Sequence, residues 1–246
     1  MLKFDVLKNT ILNIAAYKFA TLDNLPAWRS QLRELCEKLE LKGTILLAPE
    51  GINLFLAGSE NAAQSFLAAL RIMPPLQDLT EKRSYSAAQP FGKLLVKLKQ
   101  EIIPLGRPDI DPARAPAARL APQELKRWLD EGREVVLFDT RNAFEIEHGA
   151  FRGAKHIGLE NFRSFAKRVR ELDPALKGKT IVTYCTGGIR CEKAAPLLIH
   201  EGFRDVYQLD GGILKYFETC GTSHFDGNCY VFDERVALDA ELSPTD

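Results

Sequence analysis

The sequence of 246 residues contains no run of 18 apolar residues, which removes a membrane-spanning helix from consideration. Its first residues, Met-Leu-Lys-Phe-Asp-Val-Leu-Lys, lack the apolar core and small-residue cleavage site of a secretory signal. The two absences predict a cytoplasmic protein with no membrane partner. Net charge is also missing, because 33 Lys and Arg balance 33 Asp and Glu. A protein that is basic all over is excluded, whereas a local basic face for nucleic acid is not. Cysteine is scarce, and five of them at irregular spacing do not make a disulfide framework. The four histidines, His148, His156, His200 and His224, do not form a two-His-one-carboxylate iron spacing. No Gly-x-Gly-x-x-Gly stretch follows a strand. No resident metal or cofactor is therefore expected. Internal repeats are absent too.

What is present centres on Thr180-Ile-Val-Thr-Tyr-Cys-Thr-Gly-Gly-Ile-Arg-Cys-Glu-Lys193. Ile181 to Tyr184 favour a buried strand that ends at Cys185. Gly187 and Gly188 can take positive φ, so the backbone can curl around the sulfur. Arg190 opens the next helix. The N–H groups of Thr186, Gly187, Gly188, Ile189 and Arg190 then form an anion nest, in which a thiol has a depressed pKa. Cys185 is the predicted nucleophile. The competing reading is a buried cysteine on a core strand.

Before this stretch, residues 11–19 read as a strand. Trp28, Leu32, Leu35 and Leu39 mark one face of a helix that Gly43 is expected to stop. Residues 44–48 and Ile52, Leu54 and Leu56 form two more strands. Ser59 caps a helix carrying Phe66, Leu67 and Leu70. Residues 92–103 form a last strand. The order β-α-β-β-α-β predicts a ferredoxin-like α+β sandwich over residues 1–103. On its last strand Leu94, Val96 and Leu98 face one way and Lys93, Lys97 and Lys99 the other. The lysines are either an RNA-facing surface or a solvated sheet face.

Five prolines fall within residues 104–122, which predicts a linker over 104–121. A second domain over 122–220 alternates helix and strand. Pro122 starts a helix, Val135–Phe138 is a strand ending at Asp139, a loop runs to Ala154, and a helix covers 161–172. Then come the Cys185 strand, a helix, a strand at 206–209 and a last helix after Asp210-Gly-Gly-Ile213. That alternation predicts an α/β domain with a parallel sheet, whose functional crevice lies at the carboxyl ends of the strands. Residues 221–246 are a tail with a frayed polar end.

Around Cys185, Arg190 is expected to brace the loop through Glu145 or Asp139. Asp139 and Arg141 serve the loop or a substrate, or Asp139 merely shapes a turn. Cys191, six residues after Cys185, is expected to point into the helix–sheet packing rather than to resolve an oxidised Cys185. Cys36 reads as core. Cys220, His224 and Cys229 are too loosely spaced to predict a metal site. Pro196 predicts a kink in the helix after the loop.

These residues carry a resemblance. Asp139-x-Arg141, Glu145, Gly149-Ala-Phe-Arg-Gly153, the Cys185–Arg190 loop and Asp210-Gly-Gly-Ile213 resemble a rhodanese domain. Similar phosphatases place one more residue between Cys and Arg, so the shorter loop here suits a sulfur-sized group. Ala48-Pro-Glu-Gly-Ile-Asn53, Pro104-Leu-Gly-Arg-Pro-Asp-Ile-Asp-Pro112, the Cys185 stretch and Val231-Phe-Asp-Glu-Arg-Val236 further resemble the bacterial tRNA uridine hydroxylase family. That resemblance implies oxygen-dependent 5-hydroxylation of the wobble uridine(34), dependent on the loop cysteine. It also implies tRNA as partner and O2 as co-substrate, with the electron donor and oligomeric state unspecified. Longer members carry a cysteine-rich tail, so no tail-borne metal site is expected here. The alternatives are a sulfurtransferase forming a persulfide on Cys185, and a non-catalytic module sensing anions or redox state.

Overall fold

The computed structural model describes residues 10–245. They form two compact units. One runs to Ile102 and takes in Asp233–Arg235, and the other comprises Ile103–Phe232 with the residues from Val236 onward.

The first unit contains β1 (Ile11–Phe19), α1 (Leu25–Lys38), β2 (Lys42–Ala48), β3 (Gly51–Gly58), α2 (Glu60–Arg71), β4 (Glu81–Ser86) and β5 (Leu94–Leu98). The sheet order is β4-β1-β3-β2-β5, antiparallel except for the β2–β5 pair. Strands β1 to β4 with the two helices are the ferredoxin-like arrangement. The fourth strand of that arrangement is β4, not residues 92–103. Its sequence, Glu-Lys-Arg-Ser-Tyr-Ser, has too few apolar residues to announce a strand, and pairing with β1 makes it one. β5 is shorter than expected and adds a parallel edge. Leu32 is buried, and Trp28, Leu35 and Leu39 pack against the same core, as the helical spacing predicts. Gly43 does not stop α1. Glu40 takes the positive φ after the helix, and Gly43 lies in β2. A Cβ at Gly43 would stand 2.1 Å from the Phe55 carbonyl oxygen. Ser59 caps α2 by accepting from the Ala62 N–H. Val96 is buried, while Lys93, Lys97 and Lys99 are exposed.

The second unit continues with β6 (Ala118–Leu120), α3 (Pro122–Asp130), β7 (Val136–Asp139), α4 (Ala143–Ile146), β8 (Gly149–Phe151), α5 (Phe165–Arg170), β9 (Thr180–Tyr184), α6 (Ile189–His200), β10 (Asp205–Leu209), α7 (Gly212–Cys220), β11 (Phe225–Gly227), β12 (Cys229–Tyr230) and β13 (Ala237–Leu238). A four-stranded parallel sheet has the order β6-β10-β9-β7. Phe138 and Ile181 face a core completed by Phe165 and Val169 of α5 and Leu197 and Leu198 of α6. Leu137, Val182 and Tyr184 face the other core, with Trp128 of α3 and Tyr216 and Phe217 of α7. A sheet buried on both faces explains the nearly continuous apolar run of β9.

Four expectations are corrected. The proline-rich stretch is not an extended tether, because Leu105, Ile110 and Ala117 are buried in the core and β6 is an edge strand of the sheet. Residues 139–154 are not a plain loop but carry α4 and β8. The helix placed at 161–172 is a 3₁₀ turn at Phe162–Ser164 followed by α5. Residues 221–238 are not a plain tail. Phe225 and Cys229 are buried, β11 pairs with β8, and β12 pairs with β13. Asp233–Arg235 joins the first unit, where Arg235 donates to Ser84 Oγ at 2.7 Å. The α6 helix continues through Pro196 to His200, with ten of its twelve residues buried. Burial supplies what the missing proline N–H does not.

Candidate active site

Cys185 follows the last residue of β9, the strand between β10 and β7, and is almost wholly buried. The loop turns back at Gly188, whose φ of 99° only glycine adopts freely. Gly187 does not use a positive φ. The turn brings the Gly188 N–H to 3.1 Å from Cys185 Sγ. The Cys191 thiol and the Arg190 N–H also act on the charge of this sulfur.

Burial pushes the Cys185 thiol up. The Cys191 hydrogen bond, the Arg190 charge and the N–H groups of Arg190 and Gly188 outweigh burial and bring it down to about 6. Cys191 moves the opposite way. Burial and then the neighbouring Cys185 hold it protonated well above the usual thiol range, although the Thr183 and Thr140 hydroxyls oppose this. Of the predicted nest, the Gly188 N–H bonds the sulfur, and the Arg190 N–H and charge help to lower the thiol. Cys191 is wholly buried, as expected of a residue in the helix–sheet packing, and its thiol also acts on that of Cys185.

The other members hold this loop. Glu145, wholly buried in α4, accepts from Arg190 Nη2 at 2.8 Å and from the Asn142 N–H at 3.0 Å. Arg190 thus pairs with Glu145, and Asp139 is engaged elsewhere. Arg141 is wholly buried and lies on the Asp139 carboxylate at 2.6 Å. It also donates to the Gly149 carbonyl at 2.7 Å. Asp139 and Arg141 therefore brace the end of β7 against the start of β8. Arg190 Nη1 is buried without a hydrogen-bond partner among the described residues, which leaves one donor beside the sulfur.

The Asp210-Gly-Gly turn closes the loop from below. The first free N–H groups of α7 point at it: Ile213 donates to the Cys185 carbonyl at 2.9 Å and Leu214 to the Thr186 carbonyl at 3.1 Å. A Cβ on Gly212 would stand 2.4 Å from the Cys185 carbonyl oxygen, so only glycine permits this approach.

Sequence reading missed the aromatic rim. Phe144, Tyr230 and Phe232 pack edge to face, with Phe144–Tyr230 and Tyr230–Phe232 centroids both 5.2 Å apart. His148 lies against Tyr230. The Phe232 ring is 5.7 Å from the Arg190 guanidinium, and the Thr186 hydroxyl donates to the Tyr230 carbonyl at 3.4 Å. Phe144 and Phe232 remain 42% and 45% exposed. Exposed aromatic residues beside a reactive loop are the signal available in the sequence, but only the fold brings residue 232 to residue 144.

The remaining candidates lie elsewhere. Cys36 is core, and burial first, then Glu37, pushes its thiol up to about 12. His224 pairs with Asp130 at 2.7 Å, and burial pushes Cys229 up to about 12. Among the described residues no three His, Cys, Asp or Glu side chains are arranged to hold a metal.

The thiolate is the nucleophile, so Cys185 reactivity should be lost as pH falls through about 6. Alkylation by iodoacetamide, mapped by peptide mass, should slow about tenfold per pH unit below that point. Arg190→Gln, which removes a lowering charge, should move the midpoint upward.

A thiolate on a glycine-turned loop, between a central parallel strand and a buried helix, defines a rhodanese-like domain. A family model described as a rhodanese-like domain matches residues 121–219, and one described as UPF0176 acylphosphatase like domain matches 11–102. The rhodanese-like domain of an Anabaena protein overlays with a TM-score of 0.38 and 23% identity, over 44% of this chain and 78% of its own. Full-length relatives reach further. A protein of Bordetella parapertussis named tRNA uridine(34) hydroxylase is 54% identical over 95% of this chain and 98% of its own. One of Variovorax paradoxus with the same name is 53% identical over 95% of this chain and 90% of its own. The chain belongs to the tRNA uridine(34) hydroxylase family.

Proposed function

We infer that this chain hydroxylates carbon 5 of uridine 34 in tRNA, with Cys185 as the reacting thiol and O2 as the oxygen source. The observation that carries the reading is the match to relatives of that name along both units, at 54% identity over 95% of the chain. The site supports it with suitable chemistry.

Uracil carbon 5 is a weak nucleophile until a group adds to carbon 6. A thiolate held ready near pH 6 can make that addition, which sends electron density to the carbon 4 oxygen and to carbon 5. The unpartnered Arg190 Nη1 is a donor for the oxygen that becomes negative. O2 then attaches at carbon 5 as a hydroperoxide, loss of the carbon 5 proton and of the thiolate restores the ring, and a two-electron reductant must break the O–O bond to leave the hydroxyl and one water.

Uridine 34 lies in a single-stranded loop, so taking it out of its stack costs little. The exposed rings of Phe144 and Phe232 offer it a stacking surface beside Arg190. Exposed Lys93, Lys97 and Lys99 suit RNA phosphates. tRNA as substrate also agrees with a cytoplasmic protein.

The test is formation of 5-hydroxyuridine at position 34, read by nucleoside mass spectrometry on tRNA incubated with the chain in air. Phe144→Ala with Phe232→Ala should lower kcat/KM by the equivalent of about 1–3 kcal/mol, the worth of one stacked base. The Cys185 alkylation rate should stay unchanged. Unaltered kcat/KM would remove the rim from base recognition.

A further inference from the structure

Hydroxylation by O2 leaves an electron account open. One oxygen atom enters the base. The other must leave as water, which takes two electrons and two protons beyond those the C–H bond supplies. A second thiol stands beside the first at this site.

Gly188 is hydrogen-bonded to both cysteines. Its N–H donates to Cys185 Sγ at 3.1 Å, and its carbonyl accepts from the Cys191 N–H at 3.0 Å. The left-handed φ of Gly188 folds the loop so that a residue six positions on returns to the sulfur. Cys191 is fully buried in the first turn of α6, and its thiol lies near enough to that of Cys185 for each to shift the protonation of the other. Its remaining sulfur contacts are the Thr140 hydroxyl, at 3.7 Å, and the Thr183 hydroxyl. Thr140 itself donates to the Tyr184 carbonyl at 3.0 Å, which ties the second thiol to the strand end that presents the first.

We propose that Cys185 and Cys191 form a dithiol that supplies the two electrons of the hydroxylation and becomes a disulfide in each turnover. This rests on the hydroxylase reading above and names its immediate reductant. The overall step is uridine C5–H plus O2 plus two cysteine thiols, giving uridine C5–OH, one water and the Cys185–Cys191 disulfide. Once the carbon 5 hydroperoxide has formed and Cys185 has left carbon 6, the freed Cys185 thiolate attacks the distal oxygen. The O–O bond breaks, the base keeps a hydroxyl, and Cys185 becomes a sulfenic acid. The Cys191 thiol then attacks that sulfur. An S–S bond forms, the S–O bond breaks, and the oxygen leaves as water with the Cys191 proton. A dithiol or protein-thiol reductant from solution must reopen the disulfide by exchange before the next turnover.

The different protonation of the two sulfurs fits this order. The one that attacks first is a thiolate, and the one that must deliver a proton keeps it.

The experiment is a single turnover by the full chain. Protein is reduced, freed of reductant and mixed with excess unmodified tRNA in air, and 5-hydroxyuridine and free thiols are counted together. The proposal expects one 5-hydroxyuridine per chain, loss of two of the five thiols, and a mapped Cys185–Cys191 cross-link. Added dithiothreitol should restore further turnovers. Cys191→Ser should stop after the first chemical step, leaving a sulfenic acid on Cys185 that dimedone labels. Product with all five thiols still free, or Cys191→Ser turning over repeatedly at the wild-type rate, overturns the proposal and leaves the hydroxylase reading standing. No 5-hydroxyuridine from wild-type chain, even with dithiothreitol, overturns the hydroxylase reading and the dithiol with it.

Discussion

Cys185→Ser should lower the rate of 5-hydroxyuridine formation by on the order of 10³-fold or more, the scale seen when a catalytic nucleophile is removed. The fold and tRNA affinity should remain. The serine oxygen can still accept the Gly188 N–H that now bonds Sγ at 3.1 Å. It cannot become an anion near neutral pH, because the same contacts that bring a thiol to about 6 start from a far less acidic hydroxyl. A hydroxyl also cannot accept an oxygen atom from a hydroperoxide, as sulfur does. Rate under tRNA saturation should therefore collapse while the dissociation constant and melting temperature hold. Wild-type turnover by Cys185→Ser would leave the loop as a binding element only.

Arg141→Ala should cost about 3–5 kcal/mol of stability, read from the midpoint of urea unfolding. Arg141 is wholly buried, and its guanidinium meets Asp139 Oδ2 at 2.6 Å. Removing it leaves a buried carboxylate with one charged partner gone, and it also orphans the Gly149 carbonyl at the start of β8. The apolar double variant Asp139→Leu with Arg141→Met should recover part of that loss, because two buried charges vanish together. If Arg141→Ala costs less than about 1 kcal/mol, the pair is not the brace at the end of β7. Asp139→Ala should behave like Arg141→Ala, since each strands the other.

The legible part of this chain was the part whose chemistry is local. Cys185, Gly188 and Arg190 lie within six residues, and a strand, a turn and a helix start can be read from neighbours alone. Glu145, Asp139 and Arg141 were also visible as residue types at a strand end. What they do was not visible, because it depends on which carboxylate each arginine reaches across the fold. The influence of Cys191 on Cys185 was not visible for a related reason. Six residues is no helical repeat, and the return to Cys185 depends on the positive φ of Gly188. β4 was overlooked because its polar sequence becomes a strand only by pairing with β1. The proline-rich stretch looked like a tether because proline signals turns, but Leu105, Ile110 and Ala117 anchor it in a core. Phe144 and Phe232 are 88 positions apart in the chain, and nothing local links them.

The account stands or falls on the tRNA itself. Position-34 nucleosides should be compared by mass spectrometry in tRNA from a strain lacking this chain and from the same strain with the chain restored. The account predicts that 5-hydroxyuridine and nucleosides built on it fall without the chain and return with it. It also predicts no return with Cys185→Ser expressed at the same level. Unchanged 5-hydroxyuridine in the strain that lacks the chain, with no parallel route to that nucleoside, would contradict it.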